Sequence, residues 1–484
     1  MTPLQYSDYY TLLPYLGLTA WACILLIIDL FIPKKSKGWT AFLAAFGLVV
    51  TISISILQVI LYKGSTLGFS GMVAQDGFSN FANILLLASG LFGIALAYGY
   101  TKRMGIERGE YYTLLLFSVT GMMLMAQAND LIIVFLALEL LSIPLYVLSA
   151  ISRKLTSEES GVKYFLLGAF ASGFVVYGTA LVFGATGSTN LVSIFTQAAS
   201  GVTSGLLLTI GAALLLVGFG FKVAAAPFHM WTPDVYQGAP TAVTAFMAAG
   251  AKIAGFVALF RVFVTAFPAI SSDMTDILWA LSALTMVIGN VIAISQTNIK
   301  RMLAYSAIAH AGYILMAFVP YGNEKAAPTA IAAGLFYLAA YAISNFGSWG
   351  VVIALEKAEG KGLELDDYAG LAKKHPALAA AMTIFMLSLI GFPPTLGMVG
   401  KFYLFRSALD GGFTGLALIG VVTSLISAFY YLRVVVQMYM KEGDPTVERE
   451  PWLNFTTAIT AIATVAFSFV PQILFLLAST AVLR

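Results

Sequence analysis

The stretch GFKVAAAPFHMWTPD, Gly220–Asp234, puts a lysine near the end of an apolar run and two prolines just beyond it. Lys222 lies in the run 205–229, and about 20 apolar residues suffice to cross a bilayer as a helix. Pro227 and Pro233 each remove a backbone donor and press on the preceding turn, so the helix breaks there. A lysine at the centre of a span costs about 2.5–3.5 kcal/mol on insertion scales. It is tolerated with a partner, with a water-filled cavity, or after losing its proton. The break supplies part of the answer, because its freed carbonyls and amides draw in water or polar side chains. Lys222 then has hydration and room to swing. The competing reading is a kink that only shapes packing, with Lys222 in a structural ion pair.

The rest of the chain shares this solvent. Of 484 residues, 60% are hydrophobic and 10% charged, which no water-soluble globule of this size matches. Apolar runs recur from end to end and are continuous rather than alternating, so helices are expected and strands are not. The runs are 12–33, 39–62, 79–100, 111–128, 131–152, 161–186, 205–229, 241–267, 276–297, 302–319, 329–355, 377–405, 412–440 and 454–482. They define an all-α polytopic membrane protein of about fourteen transmembrane helices, a single domain in the lipid bilayer. The single cysteine, Cys23, lies in the first run, which excludes an internal disulfide framework and cysteine-ligated zinc or iron–sulfur sites. That run lacks a basic flank and a cleavage site, and reads as a retained span.

Orientation follows from basic residues in the loops. With the N-terminus outside, sixteen lysines and arginines fall in inner loops, among them Lys35, Lys102, Arg103, Lys300, Arg301 and Lys357. Only Lys63, Lys325, Arg406 and Arg484 fall outside. An even number of spans places both termini on the outer, periplasm-like face.

Six basic residues remain inside spans: Lys163, Lys222, Lys252, Arg261, Lys401 and Arg433. Lys163, Arg261 and Arg433 lie towards span ends, where long side chains snorkel to water; a relay role is the alternative for Lys163. Lys222, Lys252 and Lys401 are harder to excuse. Glu139, near the middle of span five in VFLALELLSIPLYVLSA (134–150), is the natural partner of Lys222. Desolvation loosens a lysine's hold on its proton and a nearby carboxylate restores it, so such a pair can switch between holding and releasing a proton. Lys252, among small residues in span eight, extends the same line. His310, mid-span ten in NIKRMLAYSAIAHAGYIL (298–315), is either a shuttle or a satisfied hydrogen-bonding residue. His229 and Asp234 flank the inner turn between spans seven and eight. They suit either proton uptake or capping at the interface.

Span twelve repeats the theme of span seven in GFPPTLGMVGKFYLF (391–405), where Pro393 and Pro394 break the helix near Lys401. Two interrupted spans in corresponding places of two halves point to an inverted repeat with its ion site near the midplane. There is no Walker motif, no dinucleotide fingerprint and no metal-ligand cluster in the sequence. A driving reaction then belongs to another subunit, or the chain runs on ion gradients. Nothing in it points to nucleic acid.

KVAAAPFHMWTPDVYQGAPTAVTAFMAAGAKIAGF (222–256) resembles the antiporter-like proton-translocating membrane subunits of respiratory complex I, and the three stretches quoted above match the same family. The resemblance covers spans three to thirteen. It implies two inverted five-helix repeats, 111–267 and 276–440, with helices seven and twelve broken. It also implies proton-relay roles for Glu139, Lys222, Lys252 and Lys401, and a role for the region around His310. Lysine at position 401 favours the N branch over the M branch, and the end of the chain soon after span fourteen argues against the L branch. On this reading NADH, FMN, iron–sulfur clusters and quinone belong to other subunits, and this chain has no redox centre or metal. Its partners are a neighbouring antiporter-like subunit and small membrane-arm subunits. The alternatives are a subunit of a multi-subunit cation/proton antiporter, a ferredoxin-driven or hydrogenase-linked relative, and a passive assembly scaffold.

Overall fold

A chain this apolar must satisfy its backbone polar groups internally, and uninterrupted apolar runs do so as helices. The computed structural model describes residues 6–61, 64–201, 204–481 and 483. Lys63 and Arg484, two of the four basic residues expected outside, lie beyond the described residues. The first helices are α1 (Tyr6–Phe31), α2 (Gly38–Leu61), α3 (Gly77–Arg103), α4 (Gly109–Gln127), α5 (Leu131–Ala150) and α6 (Leu155–Thr186). Then come α7 (Leu191–Ala199), α8 (Gly205–Val223), α9 (Trp231–Gly238), α10 (Thr241–Phe246), α11 (Lys252–Ala266), α12 (Ser271–Ile294) and α13 (Ile299–Phe318). The last are α14 (Ala327–Leu355), α15 (Leu371–Lys374), α16 (Pro376–Ile390), α17 (Leu396–Asp410), α18 (Thr414–Met440), α19 (Pro451–Phe469) and α20 (Pro471–Thr480).

Among the described residues, 11 spans are each long and apolar enough to cross a membrane. The broken pair α16–α17 and the more polar α4 and α13 account for the other three expected crossings. Span seven, expected over 205–229, is α8, a break that includes Pro227, and then the short α9 beyond its expected end, and span eight is α10 and α11 joined by a π-helical turn, Met247–Ala251. Strands were not expected, yet the chain after α2 forms a small hairpin, Thr66–Gly68 against Val73–Gln75. It lies in a loop, where alternation over three residues leaves no signal in composition. The amphipathic α7, also outside the expected spans, connects α6 to α8.

The loops sort onto two faces. On the basic face Arg103 donates to Glu450 and to the Ile353 carbonyl, both at 2.7 Å, and Lys357 pairs with Glu448 at 2.9 Å. On the opposite face the Phe69 amide donates to Asp8 at 2.5 Å, and Asn129 and Asn190 both bond the Gly71 carbonyl. Gly77 lies there too, against the Thr480 carbonyl. The described ends of the chain therefore share one face, as an even number of crossings demands.

Two spans form the centre. The most apolar stretch of α10–α11 is 100% buried and that of α14 is 94% buried, against 33% for α1, α2 and α6. Lys252 is on the first of these central helices, so its surroundings are protein on every side.

Arg261 departs from the snorkelling expectation. It is only 3% exposed, donates twice to Asp76 at 3.0 and 2.7 Å, and donates to the Ala126 carbonyl at 2.8 Å. Asp76 also caps α3 through the Ser79 amide. Arg433 conforms better, reaching the carbonyls of Ile294 and Gln296 at the end of α12.

Candidate proton pathway

The break in span seven begins where Ala224 takes a left-handed conformation, φ 63°, which costs an L-residue other than glycine about 1–2 kcal/mol. The freed groups find partners. The Ala225 amide bonds the Gly220 carbonyl, the Ala226 amide bonds Thr285 Oγ1, and Trp231 Nε1 bonds the Phe221 carbonyl. Pro227 follows through a cis peptide bond, as Pro394 does in span twelve. Pro233 falls inside the short α9, in its first turn, where a missing donor is harmless. The break in span seven thus comes from the Ala224–Pro227 segment and not from Pro233.

Lys222 stands at the lip of this break, 4% exposed. Its Nζ donates to Ser142 Oγ at 2.8 Å and to Tyr164 Oη at 3.3 Å, and lies 5.5 Å from the Tyr164 ring centroid. Tyr164 is fixed by stacking on Trp231, 4.6 Å and 7°. Glu139 is on α5, one helical turn before Ser142 and on the same face. The expected direct pair is not formed: Glu139 instead accepts from Ser172 at 2.5 Å and is half-buried at the α5–α6 flank. Lys222 thus meets the glutamate-bearing helix through a hydroxyl.

Gly255 links Lys222 to the next amine. A Cβ at Gly255 would lie 3.3 Å from Lys222 Cγ, so the lysine stem passes one turn from Lys252. Lys252, 3% exposed, follows the π-helical turn and donates to the Ala307 carbonyl. Its Nζ is 5.7 Å from the Tyr341 ring centroid. Ala307 is one turn before His310 on α13.

His310 is 1% exposed within a tyrosine cage. Nδ1 is 2.7 Å from Tyr337 Oη and Nε2 is 3.1 Å from Tyr431 Oη. Tyr431 Oη also bonds Ser306 Oγ. The Tyr341 and Tyr313 rings flank the imidazole at 5.1 and 5.7 Å. Tyr313 then reaches the far amine, with Lys401 Nζ 4.5 Å from its centroid. Lys401, 3% exposed, donates to the Ile390 carbonyl at 2.9 Å and to Ser424 Oγ at 2.8 Å. The Ile390 carbonyl is available because Gly391, φ 88°, ends α16 before Pro393 and Pro394. Lys222 precedes its break whereas Lys401 follows its own, so the two halves do not place their lysines identically.

The structure therefore brings Lys222, Lys252, His310 and Lys401 into one line, with Glu139 one turn from its start. It leaves Lys163 and Asp234 out of the line. Lys163 pairs with Asp234 at 2.8 Å and Glu159 at 2.7 Å, and Arg301 pairs with Asp234 at 2.9 Å, all at the basic face. His229 lies in the span-seven break, half-buried, with Nδ1 lacking a partner among the described residues. Sequence reading missed the neutral groups of the line: Ser142, Tyr164, Ser424 and the tyrosine cage. Tyr337 and Tyr341, at i and i+4 in an apolar span, were the one signal for the cage.

A sequence profile described as NADH:quinone oxidoreductase/Mrp antiporter, transmembrane, matches residues 128–427. The chain is 46% identical to NADH-quinone oxidoreductase subunit N of Chloroflexus aggregans, over 97% of this chain and 96% of the relative. It is also 46% identical to subunit N of Trichlorobacter lovleyi, over 96% of this chain and 94% of the relative. Among solved structures it is similar to a chain of respiratory complex I from Thermus thermophilus with bound aureothin, with TM-score 0.82 and 34% identity over 96% of this chain and 99% of that one. A chain of the Mrp complex from Dietzia sp. shares the fold, with TM-score 0.86, 21% identity and coverage of 99% and 97%. A line of buried amines through a twice-broken helical bundle, with relatives this similar over nearly the whole chain, shows that the protein belongs to the NADH:quinone oxidoreductase/Mrp antiporter membrane family, in its subunit N branch.

Proposed function

We propose that the chain is a proton-translocating subunit in the membrane arm of an NADH-quinone oxidoreductase. The observation that carries this reading is the line from Glu139 through Lys222, Lys252 and His310 to Lys401, in which each amine meets only neutral acceptors. A hydroxyl or carbonyl accepts from an ammonium and equally from a neutral amine. Each station can then hold or release a proton without leaving a carboxylate stranded. Redox energy released in partner subunits alters the coupling between Glu139 and Lys222. Protons pass laterally through Lys252 and the His310 cage to Lys401 and leave on the outer face. NADH, FMN, iron–sulfur clusters and quinone belong to those partners, and this chain is a non-redox subunit. Residues 111–267 and 276–440 act as two inverted five-helix repeats. The basic face is cytoplasmic and the termini are periplasmic, in keeping with the loop charges.

Lys222→Ala tests the reading. It is expected to leave the complex assembled while proton pumping per quinone reduced falls by about tenfold or more in membranes. Wild-type pumping in the assembled variant would sink the relay.

A further inference from the structure

Helices α2, α3 and α19 leave an open groove of about 1050 Å³ that none of the relay side chains lines. Its walls are apolar, with Phe46, Val49, Leu91, Phe92, Phe455 and Ile459 along its length. Its charged groups, Lys35, Lys102 and Glu107, gather at one end, on the basic face. Trp39, Tyr98 and Trp452 stand at that same end, 63%, 42% and 53% exposed. Amphipathic rings beside lysines mark the headgroup level of a bilayer.

The reach of the groove separates two occupants. Along α3 its lining runs from Lys102 to Ala88, about 21 Å at about 1.5 Å per residue. Half of the hydrocarbon core is about 15 Å. The groove therefore starts in the headgroup layer and closes near the midplane, which is the depth of one leaflet. A partner helix crossing the membrane would need a channel through the full core, about 30 Å. Charge gives a second argument. Arg103 and Lys37 are neutralised by Glu450 and Asp29, whereas Lys35 and Lys102 have no ion-pair partner among the described residues. Set against Glu107, the two lysines leave one net positive charge at the mouth.

We propose that this groove binds one anionic phospholipid of the leaflet on the basic face. The acyl chains lie along α2, α3 and α19, and the phosphate sits between Lys35 and Lys102. A net single positive charge matches a monoanionic headgroup. Basic pockets between transmembrane helices on the cytoplasmic side recognise anionic headgroups by the same physics.

The test is native mass spectrometry of the assembled membrane complex after exchange with micelles containing dioleoylphosphatidylglycerol or dioleoylphosphatidylcholine. Its readout is retained lipid, so it is independent of proton pumping. Wild type is expected to retain more phosphatidylglycerol than phosphatidylcholine. Lys35→Gln with Lys102→Gln should lower phosphatidylglycerol retention by roughly tenfold and leave phosphatidylcholine unchanged. Ala95→Trp, which fills the groove between the helices, should lower retention of both lipids. Unchanged phosphatidylglycerol in both variants would overturn the proposal. So would an equal loss of the two lipids in the lysine variant. Loss of a protein subunit from the Ala95→Trp complex would assign the groove to a polypeptide instead.

Discussion

Gly391 offers a sharp perturbation of the far end of the proton line. It has φ 88°, and a Cβ there would lie 2.8 Å from Lys401 Cδ. Gly391→Ala therefore has two consequences. A left-handed alanine costs about 1–2 kcal/mol. The new methyl also forces the Lys401 stem outward by about half an ångström to regain ordinary contact. The amine at its tip holds the Ile390 carbonyl at 2.9 Å and Ser424 at 2.8 Å. A shift of that size stretches both bonds towards the limit of useful geometry. Hydrogen bonds to a charged group are worth about 1.5–3 kcal/mol each, so losing half of two such bonds costs about 2 kcal/mol. Proton flux through Lys401 should then fall by more than tenfold. Gly412→Ala is the control, because it has nearly the same φ, 86°, but nothing within 4 Å of its Cβ position. It carries the backbone cost alone. The assay is the ratio of proton pumping to quinone reduction in membranes, with assembly followed on native gels. Gly391→Ala should uncouple and Gly412→Ala should not. Equal coupling in the two variants would refute the reasoning, whether both pump normally or both fail.

Tyr431→Phe removes the hydroxyl that joins Ser306 to His310 Nε2; pumping should fall several-fold while the assembled complex keeps its thermal stability, both measurable on the same membranes. Asp76→Asn leaves the buried Arg261 guanidinium without its counter-charge and should destabilise the fold by about 3–5 kcal/mol, seen as loss of assembled complex and faster thermal inactivation. At the basic face, the Lys357 hydrogen bond holds the Glu448 carboxyl below its ordinary value. A depressed folded-state value stabilises above the unfolded value of about 4.3 and is lost as pH falls through the folded one. Limited proteolysis of the 441–450 loop should therefore accelerate below about pH 4 and not between pH 6 and 8.

The spans were legible because a bilayer imposes length and apolarity on each crossing independently of its neighbours. The breaks were legible because proline cannot donate. Relay residues stood out because charge is rare at depth. Other features depended on packing that no local pattern encodes. The π-helical turn before Lys252 has the composition of any small-residue helix, MAAGA. Ser142 and Ser424 look like ordinary serines in apolar spans, and only the fold aims them at lysines on other helices. Glu139 and Lys222 were expected to touch because both seemed stranded. Each instead found a serine hydroxyl: Lys222 that of Ser142, on the very helix it was expected to approach, and Glu139 that of Ser172 on α6, whose side-chain alignment no local pattern encodes.

Arg261 serves as an internal control on the meaning of the uncharged caps. It is as buried as the lysines, 3% exposed against 4%, 3% and 3% for Lys222, Lys252 and Lys401. The fold gives it the Asp76 carboxylate in a two-point grip. A guanidinium keeps its proton under all physiological conditions and so requires a permanent counter-charge once desolvated. None of the three lysines has a carboxylate in ion-pair contact among the described residues. If they served only as fixed structural cations, the same desolvation would demand the same remedy. Counter-charge goes to the cation that cannot shed its proton and is withheld from those that can. That distribution favours proton exchange over static ion pairing as the reason the amines are buried.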